Sequence, residues 1–160
     1  MTEAPDPEQL EPSELAELVR ISLRDWRWQL ENGGFTLEVD VPVTLPRVRV
    51  DRTGFDLLLD NLIANAVAYA GERRWIGLRA QRQGAFVRLD VADHGIGIPA
   101  DELAHVTRKF FRGRLSIPGG SGLGLAIVKR LAEEHGGTID IESSDSGTTV
   151  SVSLPSEETP

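Results

Sequence analysis

Apolar residues recur at helical spacing through Leu15, Leu18, Val19 and Ile21, just after Pro12-Ser13-Glu14. This pattern predicts a helix capped at that point and running to about Leu30. Trp26 and Trp28 lie two apart on it and so face different ways, one into the core and the other towards a neighbouring surface or a partner. Asn32-Gly33-Gly34 reads as a turn, and residues 35–40 and 47–50 alternate as strands. A second helix is predicted over residues 53–70, with an apolar stripe of Phe55, Leu58, Leu59, Leu62, Ile63 and Ala66. Residues 74–81 and 85–93 form a hairpin near Gln83-Gly84, with Leu89 and Val91 inward and Arg88 and Asp90 outward. Residues 99–105 suit one or two helical turns. Residues 106–121 lack a clean period and read as a mobile loop. A helix over 122–134 closes at Gly136-Gly137. A last hairpin joins 138–142 to 148–154 through Asp145-Ser146-Gly147. Strands and helices intermix without an internal repeat, an α+β pattern.

The 160 residues suffice for one domain with a real core. Residues 1–12 read as a polar tail or linker remnant and 156–160 as a second tail, leaving 13–155 as the domain. With 40% hydrophobic and 26% charged residues the chain is globular rather than disordered. The absence of cysteine excludes disulfides and thiolate metal sites. No apolar stretch approaches the roughly 20 residues that span a bilayer, and the acidic, Pro-containing start is unlike a signal peptide. A net charge of -8 argues against general nucleic-acid binding. It leaves a nucleotide open, because phosphates are read by local charge and backbone N–H groups.

Three features carry candidate chemistry. Asn61 and Asn65 are one helical turn apart on one face, at the border of the apolar stripe. Their amide oxygens suit Mg²⁺, which takes few protein ligands alongside phosphates and water; two such residues can also simply solvate a half-exposed helix. Asp60 beside them points elsewhere and reads as a surface charge. Asp93 closes a strand, where a carboxylate can accept a hydrogen bond from an exocyclic amine such as that of adenine. Gly95 and Gly97 behind it let the backbone turn and approach a flat ring, although Asp-Gly also punctuates ordinary turns. His94 reads as a loop side chain. Finally, Gly120, Gly122 and Gly124 open an apolar helix, whose free N–H groups and dipole suit phosphate, or serve as capping. No Gly-Lys-Ser/Thr follows, so this is not a P-loop, and no strand precedes it as a dinucleotide fingerprint requires. Between these segments Arg108, Lys109, Arg112 and Arg114 form the dense basic cluster of an acidic chain, suited to a γ-phosphate or simply a solvated basic loop. Phe110 and Phe111 could anchor such a lid.

These segments, in this order, resemble the catalytic and ATP-binding domain of bacterial sensor histidine kinases, in the wider group that includes gyrase B and MutL. The resemblance runs from roughly Pro12 to Pro155. Asn61-Leu-Ile-Ala-Asn65-Ala-Val-Ala-Tyr69 is similar to the asparagine box, and Asp93-His-Gly95-Ile-Gly97-Ile98-Pro99 to the first glycine box. Phe110-Phe111-Arg112 is similar to the end of the phenylalanine box, and Gly120-Ser121-Gly122-Leu123-Gly124-Leu125 to the second glycine box. Gly147-Thr148-Thr149 resembles the terminal glycine box. The resemblance implies a two-layer α/β sandwich of the Bergerat type, a mixed sheet packed on helices. It implies ATP and Mg²⁺ as cofactors, with Asn65 on the metal, Asn61 at the phosphates and Asp93 on the adenine amine. Tyr69 would flank base and ribose, and Arg112 would reach the γ-phosphate. Gly120 to Leu125 would lie along the phosphates, with Gly95, Gly97, Ile98, Phe110 and Thr148 completing the pocket. Hydrolytic relatives and anti-sigma serine kinases carry a glutamate base where Asn61 stands. An amide cannot take a proton, so the histidine-kinase branch is favoured.

The sequence departs from the family pattern in three places. Ala68 stands where a Lys or Arg often sits near the phosphates, and Thr107 replaces the first Phe of the phenylalanine box. No histidine has the context of the family's phosphoacceptor: His94 precedes Gly95, His105 precedes Val106 and His135 precedes Gly136. The implied partners are therefore a histidine-bearing dimerisation domain of the same parent protein and a response regulator receiver domain. The chain is then expected to be a fragment of a larger sensor kinase. It would be cytoplasmic whether or not the parent is anchored in a membrane, monomeric when isolated, and without direct contact to membrane or nucleic acid. The alternatives are an anti-sigma-type serine kinase of the same fold and a non-catalytic nucleotide-sensing module.

Overall fold

The computed structural model describes residues 10–103, 105, 107 and 124–157. Its elements follow in the order β1 (Glu11–Ser13), α1 (Leu15–Ser22), α2 (Arg24–Asn32), β2 (Thr36–Asp40), β3 (Arg47–Val50), α3 (Arg52–Tyr69), β4 (Trp75–Gln83), β5 (Phe86–Asp93), α4 (Gly124–Glu134), β6 (Thr138–Ser144) and β7 (Gly147–Glu157). The strands form one sheet in the order β1-β3-β7-β5-β4-β2, with β6 also on β7. Among the described strands only β2 and β4 run parallel; the other pairs are antiparallel. Helices pack on one face of this mixed sheet, which is the α+β sandwich the sequence implies.

The helix α3 is the spine of the helical layer. Asp51 caps it, its carboxylate accepting from the Gly54 N–H at 3.0 Å, and so satisfies one of the orphan donors of the first turn. The whole predicted stripe from Phe55 to Ala66 is buried, and each fully buried Leu or Ile there contributes roughly 1.5–3 kcal/mol. His135, just past α4, locks the two helices together. Its Nδ1 lies 2.7 Å from the Leu131 carbonyl, and its Nε2 accepts from the Asp51 N–H at 3.1 Å. That arrangement requires the neutral ring with the proton on Nδ1. A Schellman pair closes α4, with the Gly137 N–H on the Ala132 carbonyl and the Gly136 N–H on that of Glu133.

Where the sequence pattern predicts one helix to Leu30, the structure has two, broken at Leu23. The break is invisible to periodicity because Leu23 keeps right-handed helical angles and stays buried, as does Leu30. It bends the chain around α3, so that Ser22 donates to Asp56 and Trp26 Nε1 to Asp60 Oδ1 at 2.9 Å. Asp60 is thus an anchor for Trp26 rather than a simple surface charge. Trp28 is 71% exposed, so the two tryptophans do face different ways. Strand β1 carries no pattern in the sequence and exists through its pairing with β3. Strand β7 runs on past Leu154, and Ser156 pairs with Val48. In residues 99–103 and 105 the Glu102 N–H donates to the Pro99 carbonyl and the His105 N–H to that of Glu102, as turns rather than a helix. No helix among the described residues is long and apolar enough to cross a membrane.

Candidate functional site

The two ends of a candidate site are set along α3. Near its middle, the Asn61 amide nitrogen donates back to the Leu57 carbonyl at 2.7 Å, which leaves Oδ1 without a partner among the described residues. Gly124, the first residue of α4, lies beside it: a Cβ there would stand 3.6 Å from Asn61 Oδ1. One turn on, Asn65 is half-buried, and its amide has no protein partner among the described residues. At the C-terminal end, the Ile96 N–H donates to the Tyr69 carbonyl at 3.0 Å, and Gly95 is pressed against the same group. A Cβ on Gly95 would sit 1.7 Å from the Tyr69 oxygen, so only glycine allows this approach. From residue 61 to residue 69 a helix rises about 12 Å.

Asp93 faces inward from the end of β5 and is 5% exposed. Its Oδ1 accepts from the Gly95 N–H at 2.9 Å and the Thr148 N–H at 3.3 Å. Oδ2 has no partner among the described residues and is not among the fully enclosed atoms. Burial pushes the Asp93 carboxyl above its ordinary value, and the two N–H groups and His94 only partly offset this. The result is an oriented acceptor at the edge of the core. His94 points to the other face of the sheet and stacks on Trp75, with ring centroids 4.0 Å apart.

The β6–β7 hairpin holds the loop after Asp93. Ser143 Oγ accepts from the Ile98 N–H at 2.7 Å and lies 2.8 Å from Thr148 Oγ1. Gly97, in the left-handed region at φ +76°, lets the loop pass over the Ser144 carbonyl, where a Cβ would stand at 2.2 Å. Sequence reasoning missed Ser143. It lies beyond the predicted strand end, and a lone serine carries no signal until β6 is seen to run to Ser144. Ser143→Ala strands the buried Ile98 N–H. It is expected to cost about 1–3 kcal/mol in urea unfolding; a loss below the lower bound would mean that water replaces the hydroxyl.

The fold thus brings together Asn61, Asn65, Tyr69, Asp93, Gly95, Gly97, Ile98, Gly124 and Thr148. Leu125 is buried in the core, so a ligand can meet only its backbone. Phe110, Arg112, Gly120, Ser121, Gly122 and Leu123 lie outside the described residues, as do Arg108, Lys109, Phe111 and Arg114. Ala68 and Thr107 are both half-buried. No group of three or more His, Cys, Asp or Glu suited to a metal occurs among the described residues.

Residues 50–158 match the family of histidine kinase-, DNA gyrase B- and HSP90-like ATPases. Over 129 residues the chain is 40% identical to the sensor-like histidine kinase SenX3 of Mycobacterium tuberculosis, covering 78% of this chain and 31% of that protein. It thus spans about a third of the length of that curated relative. The structure of full-length ShkA in complex with AMPPNP superposes with a TM-score of 0.84 at 26% identity, over 98% of this chain and 33% of that one. Histidine kinase ThkA, in complex with the response regulator protein TrrA, superposes with a TM-score of 0.78 at 25% identity, over 92% of this chain and 42% of that one.

Proposed function

The chain belongs to the histidine kinase-, DNA gyrase B- and HSP90-like ATPase family, and on that premise we propose that it is the ATP-binding catalytic domain of a sensor histidine kinase. The observation that carries this reading is the polarity of α3. A buried, half-satisfied carboxylate, Asp93, stands at one end of the helix. Two amides form a second end to the site further back along the helix, Asn65 about 6 Å and Asn61 about 12 Å from Tyr69, with Asn61 beside the first residue of α4. Adenine fits the first end, where Asp93 Oδ2 can accept from its amine, and phosphates fit the second. The complex of ShkA with AMPPNP supports the same class of ligand.

The open amide of Asn65 suits Mg²⁺, which when bound would neutralise charge on the phosphates. Asn61 orients the phosphates and cannot act as a base. Arg112 is the residue we assign to the γ-phosphate. In the transfer, a histidine nitrogen on a separate dimerisation domain attacks the γ-phosphorus. The bond to ADP breaks as the P–N bond forms, with catalysis resting on positioning and charge stabilisation. A response regulator then receives the phosphoryl group, a role supported by the complex of ThkA with TrrA. The domain works in the cytoplasm, where ATP is available, and the isolated chain is a monomer.

The test is calorimetric titration of the chain with ATP and GTP, each with and without Mg²⁺. It is followed by incubation with γ-labelled ATP and the parent's dimerisation domain. Selective ATP binding with label on a histidine is the expected result. ATP binding without label would leave only a nucleotide-sensing module, and label on a serine of another protein would point to the serine-kinase branch. Asn65→Ala is expected to remove the Mg²⁺ enhancement of ATP affinity, a loss of about tenfold or more. An enhancement retained in this variant would move the metal ligand elsewhere.

A further inference from the structure

The face of the sheet away from the helices carries a trough that crosses all its central strands. Strand register aligns Glu38, Gly77, Ala92, Thr149 and Glu142 in one row from β2 to β6. The floor of this row is made of small side chains. One cavity of 470 Å³ lies over its β2 half and another of 360 Å³ over its β6 half, and the two meet at Ala92 and Thr149. The Trp75–His94 stack forms one wall along both cavities. The indole lies across Gly77, where a Cβ would stand 2.5 Å from it, so the ring covers the floor at Gly77 and the open floor is Ala92 and Thr149.

The neighbouring row is Asp40, Arg79, Asp90, Ser151 and Asp140. Across the two rows five carboxylates (Glu38, Asp40, Asp90, Asp140, Glu142) stand against one arginine, Arg79. Arg88, one row further on, binds Asp90 at 2.9 Å and reaches Asp140 at 3.9 Å. Glu38, Asp40 and Glu142 are exposed and form no ion pair among the described residues. The acids therefore sit at both ends of a trough with an uncharged floor.

We infer that this trough binds an extended, basic segment of a partner protein, with one Lys or Arg near each end of the segment. Charge complementarity selects a cationic occupant, and the small floor selects a strand-like backbone rather than a helix. Four strand spacings of about 4.8 Å separate Glu38 from Glu142, roughly 19 Å, which an extended chain covers in about six residues. Its floor residues point away from the helical layer, so its occupant lies on the opposite face from the nucleotide, and the two sites come nearest where Asp93 lines the β6 half.

A capped hexapeptide with lysine at both ends, and alanine and threonine between, is the probe. Amide shifts of the ¹⁵N-labelled chain are followed during titration. Gly77, Ala92, Thr149 and the Trp75 indole N–H are expected to shift together. The double variant Glu38→Lys/Glu142→Lys is expected to weaken the peptide about tenfold, on the scale of two exposed ion pairs. Its exposed positions let it fold, which a dispersed amide spectrum verifies. Glu31→Lys/Glu133→Lys makes the same change of charge on the helical face and is expected to leave affinity unaltered. Equal weakening by both double variants would reduce the effect to net charge and overturn the site. Shifts elsewhere on the surface would overturn it too, as would the same shifts arising from self-association without peptide.

Discussion

Asp93→Asn is expected to weaken ATP binding by about 100-fold and to turn the nucleotide preference towards GTP. The asparagine oxygen can keep the Gly95 and Thr148 N–H bonds now made by Oδ1. Its NH₂ group then occupies the place of Oδ2 and donates where the carboxylate accepts. Adenine presents an amine there and guanine a carbonyl oxygen, so the exchange reverses the match. Titration of wild type and variant with both nucleotides measures it. An unchanged ATP-over-GTP ratio would remove Asp93 from base recognition.

The same substitution has a second consequence, through pH. Desolvation raises the Asp93 pKa in the folded chain above its unfolded value. The native state therefore binds this proton more tightly than the unfolded state does. The resulting stabilisation is fully present below the ordinary carboxylate range and is lost as pH rises through the raised value. Above the raised value the ionised carboxylate is held at a cost to the fold, so Asp93→Asn is expected to leave the Tm there unchanged or higher while binding fails. Wild-type ATP affinity is expected to decline on acidification from above the ordinary carboxylate range, whereas the variant's weak affinity stays flat. Thermal unfolding and titration across pH check both statements.

Gly95→Ala is expected to destabilise the domain by about 3 kcal/mol and to abolish ATP binding. The obstacle is steric alone, since Gly95 is not among the residues at positive φ. A methyl group would enter the Tyr69 carbonyl and push the loop after Asp93 off the end of α3. Gly84 supplies the control. It lies at φ +59° with nothing within 4 Å of an added Cβ, so alanine there meets only the left-handed penalty of about 1 kcal/mol. Urea unfolding of both variants separates the two effects. If Gly95→Ala costs no more than Gly84→Ala, the loop is not pinned to α3 and the pocket is wider than the contact implies.

Much of the fold is legible in the sequence because each segment's burial is written in its own period. The stripe from Phe55 to Ala66 and the inward Leu89 and Val91 all reach the core as their spacing requires. The break at Leu23 was not legible, since it keeps helical angles and is driven by the path around α3. Strand β1 was not legible because three residues carry no period. Of the site, Asn61, Asn65, Asp93 and Gly95 could be found as residue types at meaningful spacing. Ser143 could not, because its role is to hold a loop 45 positions away in sequence.

By itself the sequence determined most of the elements, the order of the nucleotide-binding boxes and the family to which they point, because helix and strand periods and short motifs are local properties. The tertiary structure alone decided which carbonyl each glycine meets. It also decided that one oxygen of Asp93 is spent on backbone while the other stays open, and that Glu38 and Glu142 end a single row across the sheet. Those facts depend on strand register and helix–strand approach. Both are set by the packing of segments distant in the chain, and no periodicity within one segment records its alignment with another.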